Sequence, residues 1–180
     1  SEKIHKLGLK FGILVEPEMV SEDSDLYRKH PDWAVRIPGQ EHALGRNQMV
    51  LDLTREEVRN YIIESMSDVF SRGKVDYVKW DMNRNLSDYY SQGLAPRHQG
   101  EFAHRYILGL YQVIQTLTDR FPHILFEACA SGGNRFDLGM LCFMPQIWAS
   151  DNTDAISRAR IQNSYSYGYP QSVIAAHVSG

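Results

Sequence analysis

Apolar and polar positions along this chain follow two periods. Six short runs rich in Val, Ile, Leu and aromatic residues, at 10–16, 49–53, 75–81, 124–129, 146–150 and 173–177, have the length and composition of β-strands. Between them the apolar spacing lengthens to that of helices. Residues 55–70 bring Val58, Tyr61, Ile62, Met66 and Val69 to one helical face, and Thr54 followed by Glu57 fits a capping box at its start. Residues 101–120 repeat the spacing with Phe102, Tyr106, Leu110, Val113 and Leu117. A third helix is expected after Asp154, fading near Gly168, while 91–100 reads as a surface loop. Strands alternating with helices predict an α/β fold built on a parallel sheet with crossover helices.

The polar residues are not spread evenly over this frame. They gather where strands end: Glu16-Pro17-Glu18, Lys79-Trp80-Asp81-Met82-Asn83, Cys129 to Arg135, and Ser150-Asp151-Asn152. Polar clusters on successive strand ends are the mark of a (β/α)8 TIM barrel, whose chemistry sits at the C-terminal face of its strands. A doubly wound sheet would concentrate its chemistry at one switch point. A complete barrel typically needs about 250 residues. With 180 residues and too few strands, the chain is expected to be a single partial barrel domain spanning 1–180.

Composition narrows the class without changing that picture. Hydrophobic residues at 43% and charged residues at 23% argue against disorder. The net charge is −3, with 19 basic residues scattered among 22 acidic ones, so no footprint for nucleic acid or a membrane surface is present. No apolar run approaches the roughly 18 residues of a bilayer span. Two cysteines, Cys129 and Cys142, cannot build a disulfide framework, which points to a reducing, cytoplasmic compartment. Ile4 and Leu7 read as the end of a helix, so the start of the protein is expected upstream of Ser1.

Two aspartates carry the candidate chemistry. Alternation along the third run puts Tyr77, Lys79 and Asp81 on one face, and an ammonium two residues from a carboxylate would keep it ionised. A charged carboxylate at a strand tip suits a nucleophile, although a structural Lys–Asp pair fits equally well. Asp151 stands just before an expected helix, where an aspartate is often a simple N-cap. The pairing is what matters: two carboxyl groups in different surroundings are the minimum set for glycoside hydrolysis. Ala130-Ser131-Gly132-Gly133 is a tight turn or a ligand contact; it lacks the Lys-Ser/Thr of a phosphate loop and the Gly-x-Ser-x-Gly of a nucleophile elbow. Cys129 itself fits a buried filler. The seven histidines include no pair at metal-binding spacing, so no catalytic metal and no cofactor is expected. Trp33, Trp80 and Trp148 fit core or sugar platform, with Trp148 nearest a candidate carboxylate. Glu18 reads as a solvated loop acid, and Arg46 and Asn47 as surface residues of a Gly-led loop.

Taken together, Phe11-Gly12-Ile13, Val15-Glu16-Pro17-Glu18-Met19-Val20, His30-Pro31-Asp32-Trp33, Gly45-Arg46-Asn47-Gln48, Lys79-Trp80-Asp81-Met82-Asn83-Arg84 and Ser150-Asp151-Asn152-Thr153-Asp154-Ala155 resemble glycoside hydrolase family 36, and within it the bacterial α-galactosidases. The resemblance implies a retaining mechanism on a (β/α)8 barrel. It assigns the nucleophile to Asp81 and the acid/base to Asp151, and galactose contacts to Lys79, Asn83, Arg46, Cys129 and Gly132. It makes 49–53 a short strand within a long loop, and the staves present the third to the seventh. Three further implications concern substrates and assembly: terminal α-galactosides of the raffinose and melibiose type, a homo-oligomeric intact enzyme such as a tetramer, and β domains before and after the barrel. Two positions depart from the family. Leu14 stands where a Trp usually shapes the sugar site, and Asn134 replaces a usual glycine. The family's galactose-binding aspartate pair on the second strand has no counterpart here.

Three readings follow. The first is part of a retaining α-galactosidase, inactive as an isolated 180-residue piece. A related α-glycosidase or transglycosidase of altered specificity is the second, motivated by Leu14. An inactive carbohydrate-binding barrel fragment is the third.

Overall fold

The structure, a computed structural model, describes residues 1–179. In chain order its elements are α1 (Glu2–Lys6), β1 (Gly12–Val15), β2 (Met19–Ser21), α2 (Asp25–Lys29), β3 (Gln48–Val50), α3 (Glu56–Gly73), β4 (Tyr77–Trp80), α4 (Phe102–Arg120), β5 (Leu125–Ala128), α5 (Leu138–Leu141), β6 (Gln146–Ile147) and α6 (Ala155–Ser166). They fall into two compact units. One gathers Ser1–Val15, Lys74–Asp81 and the residues from Pro122 onward; the other gathers Glu16–Gly73 and Met82–Phe121.

The first unit is a parallel sheet in the order β1-β4-β5-β6. Its four strands join in chain order, with no reversal of the kind that marks a switch point. Register decides what each face carries. Val15, Trp80, Ala128 and Ile147 lie in one row, and Leu14, Lys79, Glu127 and Gln146 in the next. Because side chains alternate along a strand, Val78, Trp80, Phe126, Ala128 and Ile147 share a face, and all are buried. The opposite face holds Leu14, Tyr77, Lys79, Glu127 and Gln146. The strands are shorter than their apolar runs, but the ladder reaches one residue further. Asp81 N donates to Val15 O at 2.9 Å, Cys129 N to Trp80 O at 2.8 Å, and Trp148 N to Ala128 O at 2.8 Å. Of the expected strand at 173–177, a single parallel bridge from Ile174 to Ile147 forms, backed by Ala175 N to Ile147 O at 2.9 Å. A 3-10 turn at Gln171–Val173 takes the place of its first residue. At the other end of β4, Asp76 accepts from Phe11 N at 2.7 Å and pairs with His5 at 2.7 Å, tying α1 to the sheet.

The second unit holds an antiparallel pair, β2 with β3, and the two long helices α3 and α4 packed together. The 49–53 run therefore does form a strand, but antiparallel and outside the parallel sheet. The apolar face of α4 is as its spacing predicts: Phe102, Tyr106, Leu110, Val113 and Leu117 are all buried. On α3 the buried face is turned by about a residue. Val58, Ile62, Ile63, Ser67 and Phe70 are buried, while Tyr61 and Val69 are exposed. Phe70 meets Phe121 edge-on at 5.6 Å, and Tyr61 leans on Trp33 at 5.7 Å instead of entering the core. The capping box does not form. Thr54 Oγ1 donates to Asp52 Oδ1 at 2.6 Å, and Glu57 is held by Arg55 at 2.7 Å. Close packing of α4 depends on Gly109, where a Cβ would overlap Leu53 O.

Candidate functional site

Asp81 follows β4 directly and is buried, at 6% exposure. Its neighbour across the sheet is Cys129, the residue after β5, whose thiol hydrogen-bonds the Asp81 carboxylate. Burial pushes that thiol up to about 12; the Gly132 backbone N–H opposes the shift, and the bond to Asp81 and its negative charge add to it. Cys129 is thus a protonated donor to Asp81, which is more than a filler does.

The charge of Lys79 goes elsewhere than its sequence position suggests. Lys79 Nζ pairs with Glu127 Oε1 at 3.4 Å, so the sequence-based pairing with Asp81 gives way to one across the sheet. The reason is register: Lys79 and Glu127 are directly opposed on adjacent strands, pointing to the same side. Tyr77 Oη donates to the other oxygen, Glu127 Oε2, at 2.5 Å. Burial foremost, then that bond and the Glu127 charge, drive the Tyr77 hydroxyl well above the usual phenol range. Lys79 Nζ also sits 3.6 Å over the Trp148 ring, whose other cationic neighbour, Arg158, is 4.7 Å away.

Trp148 leads on to the second aspartate, donating from Nε1 to Asp151 Oδ1 at 2.8 Å. Asp151 is exposed and does not cap the helix that follows. Asp154 does, accepting from Ser157 N at 2.8 Å, which removes the simplest structural explanation for Asp151. The glycine pair explains how the Cys129 loop and the Asp151 strand end come together. Gly132, at φ +84°, would meet Ser150 Cα at 3.2 Å and Asp151 N at 3.3 Å with a Cβ; Gly133 would meet Ala149 O at 2.5 Å and overlap Tyr165 Oη. Both glycines therefore serve close packing against the strand end. On the Tyr77–Lys79 face a cavity of about 430 Å³ is lined by Tyr77, Lys79, Glu127, Gln146, Trp148 and 175–177.

The remaining candidates lie in the second unit. Gly45 and Gln48 bond across a two-residue turn whose central residues, Arg46 and Asn47, both have positive φ, 53° and 59°. Two consecutive left-handed residues make a hairpin turn of the type that suits a twisted ribbon. They hold Arg46 out into solvent, with Nη1 3.7 Å from Glu16 Oε1. Asn83 Nδ2 donates to the same Glu16 oxygen, so Glu16 gathers two of the residues picked from the sequence. Glu18 overturns its reading as a solvated loop acid: it is fully buried and accepts from Tyr106 Oη at 2.8 Å. Trp33 and Trp80 are core residues, and Trp148 lines the cavity on the Tyr77–Lys79 face. Sequence reading passed over Glu127. The available signal was a lone carboxylate inside an apolar strand.

Comparison with known proteins identifies relatives that match nearly the whole of this chain. The Melibiase family model matches residues 1–180. The chain is 56% identical over 179 residues to alpha-galactosidase AgaA of Geobacillus stearothermophilus, which covers 99% of this chain and 25% of that protein. It is 54% identical to alpha-galactosidase 1 of Pediococcus pentosaceus, over 98% of this chain and 24% of that protein. The chain thus spans about a quarter of the length of the curated relatives it matches. The crystal structure of the Geobacillus enzyme superposes with a TM-score of 0.97, again over 99% of this chain and 25% of that one. Variants of that enzyme, both carrying an alanine-to-glutamate change, are known with raffinose in an aspartate-to-asparagine form and with stachyose in an aspartate-to-alanine form.

Proposed function

Because this chain belongs to the Melibiase family of glycoside hydrolases, we propose that it forms part of the catalytic (β/α)8 barrel of a retaining α-galactosidase. In this reading the four parallel strands are the third to the sixth staves, and the segment bridged at Ile174 the seventh, of a barrel completed by other parts of the protein. Asp81 is the nucleophile and Asp151 the acid/base. The substrate is an oligosaccharide ending in α-galactose, of the raffinose or stachyose type. The same reading takes the intact enzyme to be a cytoplasmic homo-oligomer.

The observation that carries the proposal is the contrast between two aspartates at the ends of strands flanking β5. Asp81 is buried with a protonated thiol bonded to it; Asp151 is exposed and held by an indole N–H. A supporting observation is that the two aspartates substituted in the raffinose- and stachyose-bound relatives are as many residues apart as Asp81 and Asp151. The retaining double displacement then assigns each aspartate its step. The Asp81 carboxylate attacks the anomeric carbon while the Asp151 carboxylic acid protonates the departing glycosidic oxygen, leaving a galactosyl ester on Asp81. Asp151, now a carboxylate, takes a proton from water, which attacks the same carbon from the opposite side to the ester and frees galactose with its α configuration restored. Lys79, Asn83, Arg46, Cys129, Gly132 and Trp148 orient the sugar.

The test belongs on the intact enzyme. Asp81→Ala should abolish hydrolysis of p-nitrophenyl α-galactoside, and added azide should restore turnover as the β-configured galactosyl azide. Near-normal activity in the variant would sink the assignment. A second reading, an α-glycosidase or transglycosidase of altered sugar preference, is favoured by Leu14. It is exposed, directly opposite Lys79 in the sheet. Cleavage of aryl gluco- but not galactosides would decide for it.

A further inference from the structure

Lys79 is a four-carbon flexible stem carrying a point charge, and holding such a group in one place has to overcome its rotamer entropy. Three features of the first unit do so. The sheet register sets Glu127 directly opposite Lys79, and Glu127 Oε1 stands 3.4 Å from the ammonium. Tyr77 Oη engages Glu127 Oε2 at 2.5 Å, so the carboxylate is fixed at both oxygens and is buried. On another side, the Trp148 ring supports Nζ at 3.6 Å and is itself faced by Arg158, whose Nε donates to His177 O at 2.9 Å. The remaining N–H of Lys79 are left for the cavity it lines.

Resting on the proposed glycosidase function, we infer that Glu127, held by Tyr77, is the positioning residue for Lys79. Glu127 keeps the ammonium beside the strand end of Asp81 and against Trp148, ready to donate to a sugar hydroxyl. It also neutralises the lysine locally. The site thus presents a directed donor to a neutral sugar without adding net charge, and Glu127 acts through Lys79 without touching the substrate. The pair is interdependent: removing either partner strands a buried or half-buried charge.

A double-mutant cycle in the intact enzyme tests this, with parent, Glu127→Gln, Lys79→Met and the double variant compared for kcat and KM on p-nitrophenyl α-galactoside and for galactose affinity by calorimetry. Glu127→Gln should lower kcat/KM roughly tenfold or more, as expected when a partly buried ion pair loses one partner. It should divide that loss between kcat and KM as Lys79→Met does, and add nothing further in the Lys79→Met background. Tyr77→Phe, which keeps the ion pair, should change the same parameters in the same direction by a smaller factor. Equal losses with and without Lys79, or parental kinetics in Glu127→Gln, would overturn the inference. If Glu127→Gln fails to fold, Tyr77→Phe measured in both Lys79 backgrounds decides by the same criterion. A parent that turns over no α-galactoside takes down this inference together with the proposed function; an active parent with an additive cycle takes down this one alone.

Discussion

Gly133→Ala offers a direct test of how the two aspartate-bearing strand ends are held together. Gly133 has no positive φ, so the substitution is judged by contacts alone. An added Cβ would stand 2.5 Å from Ala149 O and overlap Tyr165 Oη, whereas real Cβ atoms essentially never come within 3.0 Å of another heavy atom. One side must yield by about 0.5 Å. If the strand end moves, Asp151, two residues past Ala149, moves with it; if the loop moves, the Cys129 thiol shifts on Asp81. Overpacking of this kind costs about 1–3 kcal/mol. If Asp81 and Asp151 act as proposed, misplacing them by a fraction of an ångström should lower kcat/KM by roughly tenfold or more, since about 1 Å can cost a hundredfold. Combining Gly133→Ala with Tyr165→Phe removes only the hydroxyl overlap, so rescue should be partial. Gly168→Ala, where nothing lies within 4 Å, is the control and should leave activity unchanged. The assay is aryl α-galactoside hydrolysis with thermal melts on the intact enzyme. Parental kinetics and parental melting for Gly133→Ala would refute the described seating of the loop.

Other outcomes follow from the same geometry. Leu14→Trp should tighten galactose binding by about 1 kcal/mol, roughly fivefold, because Leu14 is exposed directly opposite Lys79 and an indole offers the sugar an aromatic face that leucine lacks; calorimetry showing unchanged affinity would remove Leu14 from the sugar site. Alkylation at pH 8 should label the exposed Cys142 and spare Cys129, whose thiol stays protonated up to about 12. Asp81→Asn takes away one of the causes of that shift and should quicken Cys129 labelling, as read by mass spectrometry. In a sugar-bound structure of the intact enzyme, the Asp81 and Asp151 carboxyl groups should lie about 5–5.5 Å apart, and a separation of about 6.5–9.5 Å would point to inversion instead.

Much of this protein is legible in its sequence because local patterns report local structure. The run from Val75 to Asp81 reads as a strand ending in a carboxylate, and the spacing of Phe102, Tyr106, Leu110, Val113 and Leu117 identifies the buried face of α4; both depend only on the period of the backbone. The family strings single out Asp81 and Asp151 as candidates by resemblance, not by period. Tertiary structure decided what those residues meet. Lys79 pairs with Glu127, a partner far along the chain, because parallel register sets opposing residues side by side, and no spacing within one strand records register. Glu18 is buried under Tyr106 and Asp151 is released from capping by Asp154, outcomes that turn on which neighbours fold over each carboxylate. The buried face of α3 takes in Phe70 against Phe121 rather than Tyr61 and Val69, and its own periodicity could not say so. The two glycines of the Cys129 loop are visible in sequence as a turn, but their need to admit Ala149, Ser150 and Asp151 belongs to the fold. Period and composition are properties of a segment, whereas ion pairing and burial are properties of contacts between segments, and those contacts exist only once the chain has folded.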